Sequence, residues 1–194
     1  MENLKKGILI TLVLFLITTI YTYMINGFAQ VFFHESANGS IILKNGEGIG
    51  SKYIGQNFES DKYFHGRASI FNYNTYSTLK EAQMIPSSGG SNLGGSNLEY
   101  NKNIKERIEK ILSENPSIEI KDIPVDMVTA SASGLDPHIT TQGALIQVER
   151  VARVNGITKE EVINLVKKME KNGIINVLEL NLALENLIKW AIII

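Results

Sequence analysis

From Gly7 to Phe33 the chain carries no charged side chain, and Ile8 to Ile25 is apolar except for four threonines and two tyrosines. Twenty helical residues rise about 30 Å, the hydrocarbon thickness of a bilayer, so this run is long enough to span one. A cleaved signal peptide has a shorter apolar core, about 7–15 residues, ahead of a small-residue cleavage site. Here the run is longer and leaves through Tyr21, Tyr23, Asn26, Gly27 and Phe28, an aromatic exit suited to the headgroup region. The expectation is a retained anchor over 7–27, extending as far as 33, behind a cytoplasmic stretch at 1–6.

Lys5 and Lys6 precede the span, and the first charges after it are His34, if protonated, and Glu35. The positive-inside rule therefore expects the N-terminus in the cytoplasm of a cell (plasma) membrane and residues 34–194 on the other side. Setting aside Glu2, Lys5 and Lys6 leaves 17 basic and 19 acidic residues of the 19 and 20 in the whole chain. That balance gives no case for nucleic-acid binding. With no cysteine in 194 residues, disulfides, thiolate metal sites and thiol nucleophiles are excluded. The tail Trp190–Ile194 is too short to cross again. Thr11, Thr18 and Thr22, seven and four apart, share one helix face, a candidate surface for other membrane helices. The plainer reading has each hydroxyl bonded to its own backbone.

Beyond the span, short elements alternate. Ile41–Leu43, Tyr53–Ile54, Val125–Thr129 and Asn176–Leu180 read as strands. Ile104, Ile108, Ile111 and Leu112 mark a helix ending at Asn115-Pro116. A second helix runs from about Thr140 to Asn155, with Thr140 as its cap and Gly156 just past its end. Thr158 and Glu161 form a capping box for a third, which Gly173 stops. Leu184, Leu187 and Ile188 belong to a last one. The fold expected is a single N-terminal transmembrane helix followed by one mixed α/β (α+β) extracytoplasmic domain.

Three clusters invite chemistry. The glycine-rich stretch with Ser88, Gly89, Gly90, Ser91 and Asn92 could offer backbone N–H groups to an anion, but it lacks the Gly-Lys-Ser/Thr of a phosphate loop. It reads better as a turn or a partner-contact loop. Ser131, Ser133, Asp136 and His138 lie close together without the Gly-x-Ser-x-Gly of a nucleophile elbow. Asp136 before Pro137 more naturally fixes a turn. Gln147, Arg150 and Arg153 share a polar helix face, either solvated or offered to an anion or partner. The three histidines have no helical metal spacing, so no metal site and no catalytic residue is expected.

Taken in order, Gly50-Ser51 with Ile54-Gly55-Gln56, Tyr63-Phe64-His65-Gly66-Arg67, Ser88-Gly89-Gly90-Ser91-Asn92-Leu93-Gly94, Val128 to Ile139, Gln147-Val148 with Arg150-Val151-Ala152, and Asn176 to Asn181 form an ordered set. Behind an N-terminal anchor, that set closely resembles the C subunit of the Kdp-type potassium-transporting P-type ATPase, the KdpC family. Ala68 and Gly95-Ser96 stand where the family carries prolines, and the connection between Met169 and Ile175 is shortened. The resemblance implies a non-catalytic accessory subunit of a high-affinity potassium uptake complex, needed for its assembly and stability. Its partners would be a potassium-conducting A subunit, an ATP-hydrolysing B subunit and a small F subunit. The family's C subunit is described as a catalytic chaperone that raises the ATP affinity of the B subunit. ATP thus enters by resemblance alone, and an external loop cannot touch cytoplasmic ATP. The route expected is indirect, through the A subunit's outer face and the membrane helices. The alternative of another class is a stand-alone membrane-anchored binding module, which needs a concave site with converging polar groups.

Overall fold

The uncharged run and its flanks form one long helix, α1 (Glu2–Phe32), none of whose side chains is buried. Among the described residues it is the one helix long and apolar enough to cross a membrane. The computed structural model describes every residue except Ser77, Leu79 and Ile194. The chain divides into two compact units, Met1–Ile49 and Gly50–Ile194.

In the first unit α1 is followed by the single turn α2 (His34–Ala37) and by β1 (Ile41–Lys44). β1 pairs with β2 (Glu47–Ser51), which leads into the second unit. The expected strand at Tyr53–Ile54 is therefore displaced, and these two residues lie in a turn and bend. The reason is the Asn45-Gly46 pair, with φ of 54° and 85°. Two successive left-handed residues reverse the chain at once, in the geometry Asn-Gly favours for a tight hairpin.

The second unit contains α3 (Leu98–Glu114), α4 (Val125–Val128), β3 (His138–Thr140), α5 (Thr141–Leu145), α6 (Val148–Asn155), α7 (Lys159–Met169), β4 (Ile174–Asn176) and α8 (Val177–Ile193). α3 starts where the Asn97 side chain accepts from the Glu99 and Tyr100 N–H groups. β3 and β4 pair antiparallel with Ile139 opposite Ile175, and both are 1% exposed. Around them Phe64, Ala144, Val151, Val162, Val166, Leu180 and Leu184 form the core. Each large side chain sealed there stabilises the fold by roughly 1.5–3 kcal/mol relative to leaving it in water.

Three further expectations change. Val125–Val128 is helical rather than extended. Pro124 supplies the fixed φ at its start, and the Asp126 carboxylate is held by the Thr140 N–H at 2.8 Å and hydroxyl at 3.0 Å. The strand near Asn176 ends there, because the Asn176 side chain accepts from the Glu179 N–H at 3.1 Å and so caps α8. The expected helix from Thr140 to Asn155 is two, α5 and α6, separated at Ile146-Gln147 by a tighter turn in which the Gln147 N–H bonds the Ala144 carbonyl at 3.0 Å. Thr140 does cap α5, and Gly156, at φ 67°, ends α6 in the left-handed conformation. Thr158 and Glu161 form the capping box. α7 already ends at Met169, and Gly173 lies instead in the turn that leads into β4.

Candidate functional site

The segment 61–67 is the seam on which the second unit is organised, and the polar side chains of α6 and α8 grip its backbone. Arg150, 1% exposed, donates from Nη1 to the carbonyls of Asp61 at 2.5 Å and Tyr63 at 2.9 Å, and from Nη2 to Gln147 Oε1 at 2.7 Å. Gln147 Oε1 also accepts from the His65 N–H at 2.8 Å, while its Nε2 donates to the His65 and Gly143 carbonyls. Asn181 closes the same grip by accepting from the Phe64 N–H at 2.8 Å and donating to its carbonyl at 2.9 Å. Burial pushes the Arg150 guanidinium pKa down, against the charges of Glu114 and Asp61. The polar face expected for Gln147, Arg150 and Arg153 is thus corrected. Two of the three are interior clamps, since carbonyls outside any helix or strand need donors once desolvated, and Arg153 alone is exposed.

The clamped segment continues into an unusual turn. Asn72, Tyr73 and Asn74 have φ of 49°, 56° and 52°. Consecutive left-handed residues that are not glycine cost roughly 1–2 kcal/mol each and persist only where surroundings over-determine them. Here the buried Tyr73 hydroxyl donates to the Arg67 carbonyl at 2.8 Å, and its N–H donates to Ser69 Oγ at 3.0 Å. Its ring covers Gly55, where a Cβ would stand 2.4 Å from a ring carbon. Burial, reinforced by Asp136, pushes the phenol up to about 12.

The serine- and histidine-bearing cluster is wired for structure. Asp136 accepts from Arg67 Nη1 at 2.9 Å and from the His138 N–H at 3.0 Å. Ser131 and Ser133 hydroxyls lie 3.2 Å apart and take the Asp136 and Leu135 N–H groups. The glycine-rich loop lies against this cluster. The Gly89 N–H and Ser88 hydroxyl both donate to the Ser133 carbonyl, at 2.8 and 2.9 Å. Gly134, at φ 67°, permits that approach, because a Cβ there would meet the Gly89 carbonyl at 2.9 Å. Two donors that an anion would require are therefore already taken. Gly90 packs on Ala132, Ser91 is half-buried, and Asn92 is exposed with a left-handed φ of 53°.

A cleft of about 510 Å³ between residues 57–73 and α3 has no counterpart among the clusters legible in the sequence. His65, Arg67, Arg107, Lys110, Glu114 and Asn115 are among the residues that line it. His65 Nδ1 lies 3.3 Å from Glu114, and Lys110 approaches Glu114 at 3.7 Å. Burial pushes the Glu114 carboxyl up, but the His65 hydrogen bond and the charges of His65, Lys110 and Arg150 outweigh it, so it titrates below its usual range. Arg107 Nη1 donates to the Val128 carbonyl at 2.9 Å. Among the described residues no group of three His, Asp or Glu side chains converges to hold a metal ion. The charges of the cleft are scattered over α3 and the 57–73 segment, and no local spacing in the sequence announces their convergence.

In α1 the Thr11 hydroxyl donates to the Gly7 carbonyl, Thr18 to those of Leu14 and Phe15, and Thr22 to that of Thr18, at 2.8–3.0 Å. Their hydroxyls are satisfied within the helix, so what this face offers a neighbour is small side chains rather than free donors.

A family model described as "K+-transporting ATPase, c chain" matches residues 4–186. Among curated relatives, the potassium-transporting ATPase KdpC subunit of Clostridium kluyveri is 38% identical, covering 93% of this chain and 92% of its own length. That of Rhodopseudomonas palustris is 40% identical over 95% and 97%. That of Caldanaerobacter subterraneus is 39% identical over 97% of each.

Proposed function

This chain belongs to the KdpC family of potassium-transporting ATPase C chains, and from that premise we propose that it is a single-pass, non-catalytic accessory subunit of an ATP-driven potassium uptake complex. The observation that carries the reading is the near-complete mutual coverage with relatives bearing that name, anchor and second unit together. The placement of Lys5 and Lys6 at the start of α1, just ahead of the uncharged run that begins at Gly7, supports a cytoplasmic N-terminus, a span over 7–27 and residues 34–194 outside.

In this reading the A, B and F subunits are its partners. The Thr11/Thr18/Thr22 face packs laterally on their helices, and the outer part sits on the A subunit. Its work is to hold the assembly together and to raise the B subunit's affinity for ATP without touching ATP. Such coupling arises only from unequal contacts with two states of the pump. The loop at Ser88–Asn92, braced on Ser133, and the exposed Arg153 are available as partner contacts. Affinity purification of the tagged chain from detergent-solubilised membranes tests this. Large hydrophobic subunits accompany it if the reading holds, and a chain recovered alone contradicts it.

A further inference from the structure

Three independent signs fall on one place, the cleft between α3 and residues 57–73. Its volume, about 510 Å³, is within the range of ligand pockets. The left-handed turn at Asn72-Tyr73-Asn74 forms part of its edge, and such strain gathers where function requires it. Its wall also holds buried polar atoms without a hydrogen-bond partner, Asn115 Oδ1 and Arg67 Nε, and Asn115 is only 2% exposed. Asn115 cannot be turned to cure this, because its Nδ2 already donates to the Ile111 carbonyl at 2.9 Å.

The charges identify what is missing. Arg67 is matched by Asp136, Glu114 by His65 and Lys110, and Glu59, the other carboxylate of the lining, is exposed and accepts from Asn57 Nδ2. Arg107 is half-buried, bonds a carbonyl, and has no carboxylate within ion-pair distance among the described residues. A half-desolvated guanidinium favours a carboxylate, which it can take bidentately. Resting on the proposed function, we propose that this cleft receives an acidic segment of a partner subunit, the carboxylate of its aspartate or glutamate on Arg107.

The test uses the assembled complex in native membranes, with the photoreactive residue p-benzoylphenylalanine placed at Lys110 on the cleft rim and, as control, at Lys105 on the exposed part of α3. Irradiation and peptide mass spectrometry should find position 110, not 105, joined to an Asp- or Glu-bearing segment of another subunit. With Arg107→Glu that crosslink should fall by roughly tenfold or more, and Arg107→Lys should retain most of it. Reversing the charge of the captured acidic residue to arginine should restore the crosslink in the Arg107→Glu background. No crosslink at 110, crosslinks only within this chain, or an equal yield from 105 would overturn the proposal while a co-purifying wild-type complex leaves the accessory-subunit reading standing. Failure of the wild-type chain to co-purify with any subunit would overturn both.

Discussion

At the residue scale, the side chains that matter most reach across long sequence distances to backbone. Gln147 and Arg150 lie three apart on one face, a pattern legible in the sequence, and what they bind is not, since His65 and Asp61 are 82 and 89 residues away. Periodicity reports a face and is silent on what covers it. Gly55 stands in the family-like block Ile54-Gly55-Gln56 with no neighbour legible in the sequence to explain it, yet a Cβ there would also stand 2.9 Å from the Asp136 carbonyl. Gly55→Ala should destabilise the fold by about 1–3 kcal/mol, read as a lower denaturant midpoint of the detergent-solubilised chain, because the Tyr73 ring is pinned and cannot yield. Glu114 carries a pH prediction. Its folded pKa lies below the ordinary 4.5, so its stabilisation is full above the unfolded value and is lost as pH falls through the folded one. Glu114→Gln should flatten the acid limb of the stability–pH profile below about pH 4.5 and lower stability at neutral pH. An unchanged acid limb would mean that the bridge to His65 and Lys110 contributes nothing.

At the scale of elements, capping chemistry was the most dependable signal. Thr140, Gly156 and the Thr158/Glu161 box all act as their residue types direct, and the Thr158 hydroxyl accepts from the Glu161 N–H at 3.2 Å. Thr158→Ala should lower stability by about 1 kcal/mol in thermal or denaturant melts, and Thr158→Ser should restore most of it. The misplaced strands share a cause. Short runs of Val, Ile and Leu satisfy both periods, and the deciding residues are polar neighbours: Asn45-Gly46 for the hairpin, Asp126 for α4 and Asn176 for α8. α1 presents the opposite situation, an apolar run so long that only one structure fits it. Because its threonine hydroxyls bond their own helix, the docking face depends on small side-chain volume. Thr18→Leu with Thr22→Leu should therefore reduce recovery of pump subunits with the tagged chain, and undiminished recovery would remove the face from the account.

At the scale of the whole molecule, a long apolar N-terminal helix followed by a mixed helix-and-strand unit is legible in the sequence, and both are present. The cleft was not foreseeable, since its walls meet only once Arg150, Gln147 and Asn181 draw residues 61–65 into the core. The proposed function places the portion beyond α1 outside the cell, as part of the pump. The native chain has no cysteine, so a single Ser117→Cys, at an exposed position just after α3, gives an unambiguous reporter. Treated with a membrane-impermeant maleimide, intact cells should label this cysteine fully, with no gain on lysis. Protection in intact cells with labelling only after lysis would place that portion in the cytoplasm and contradict the account.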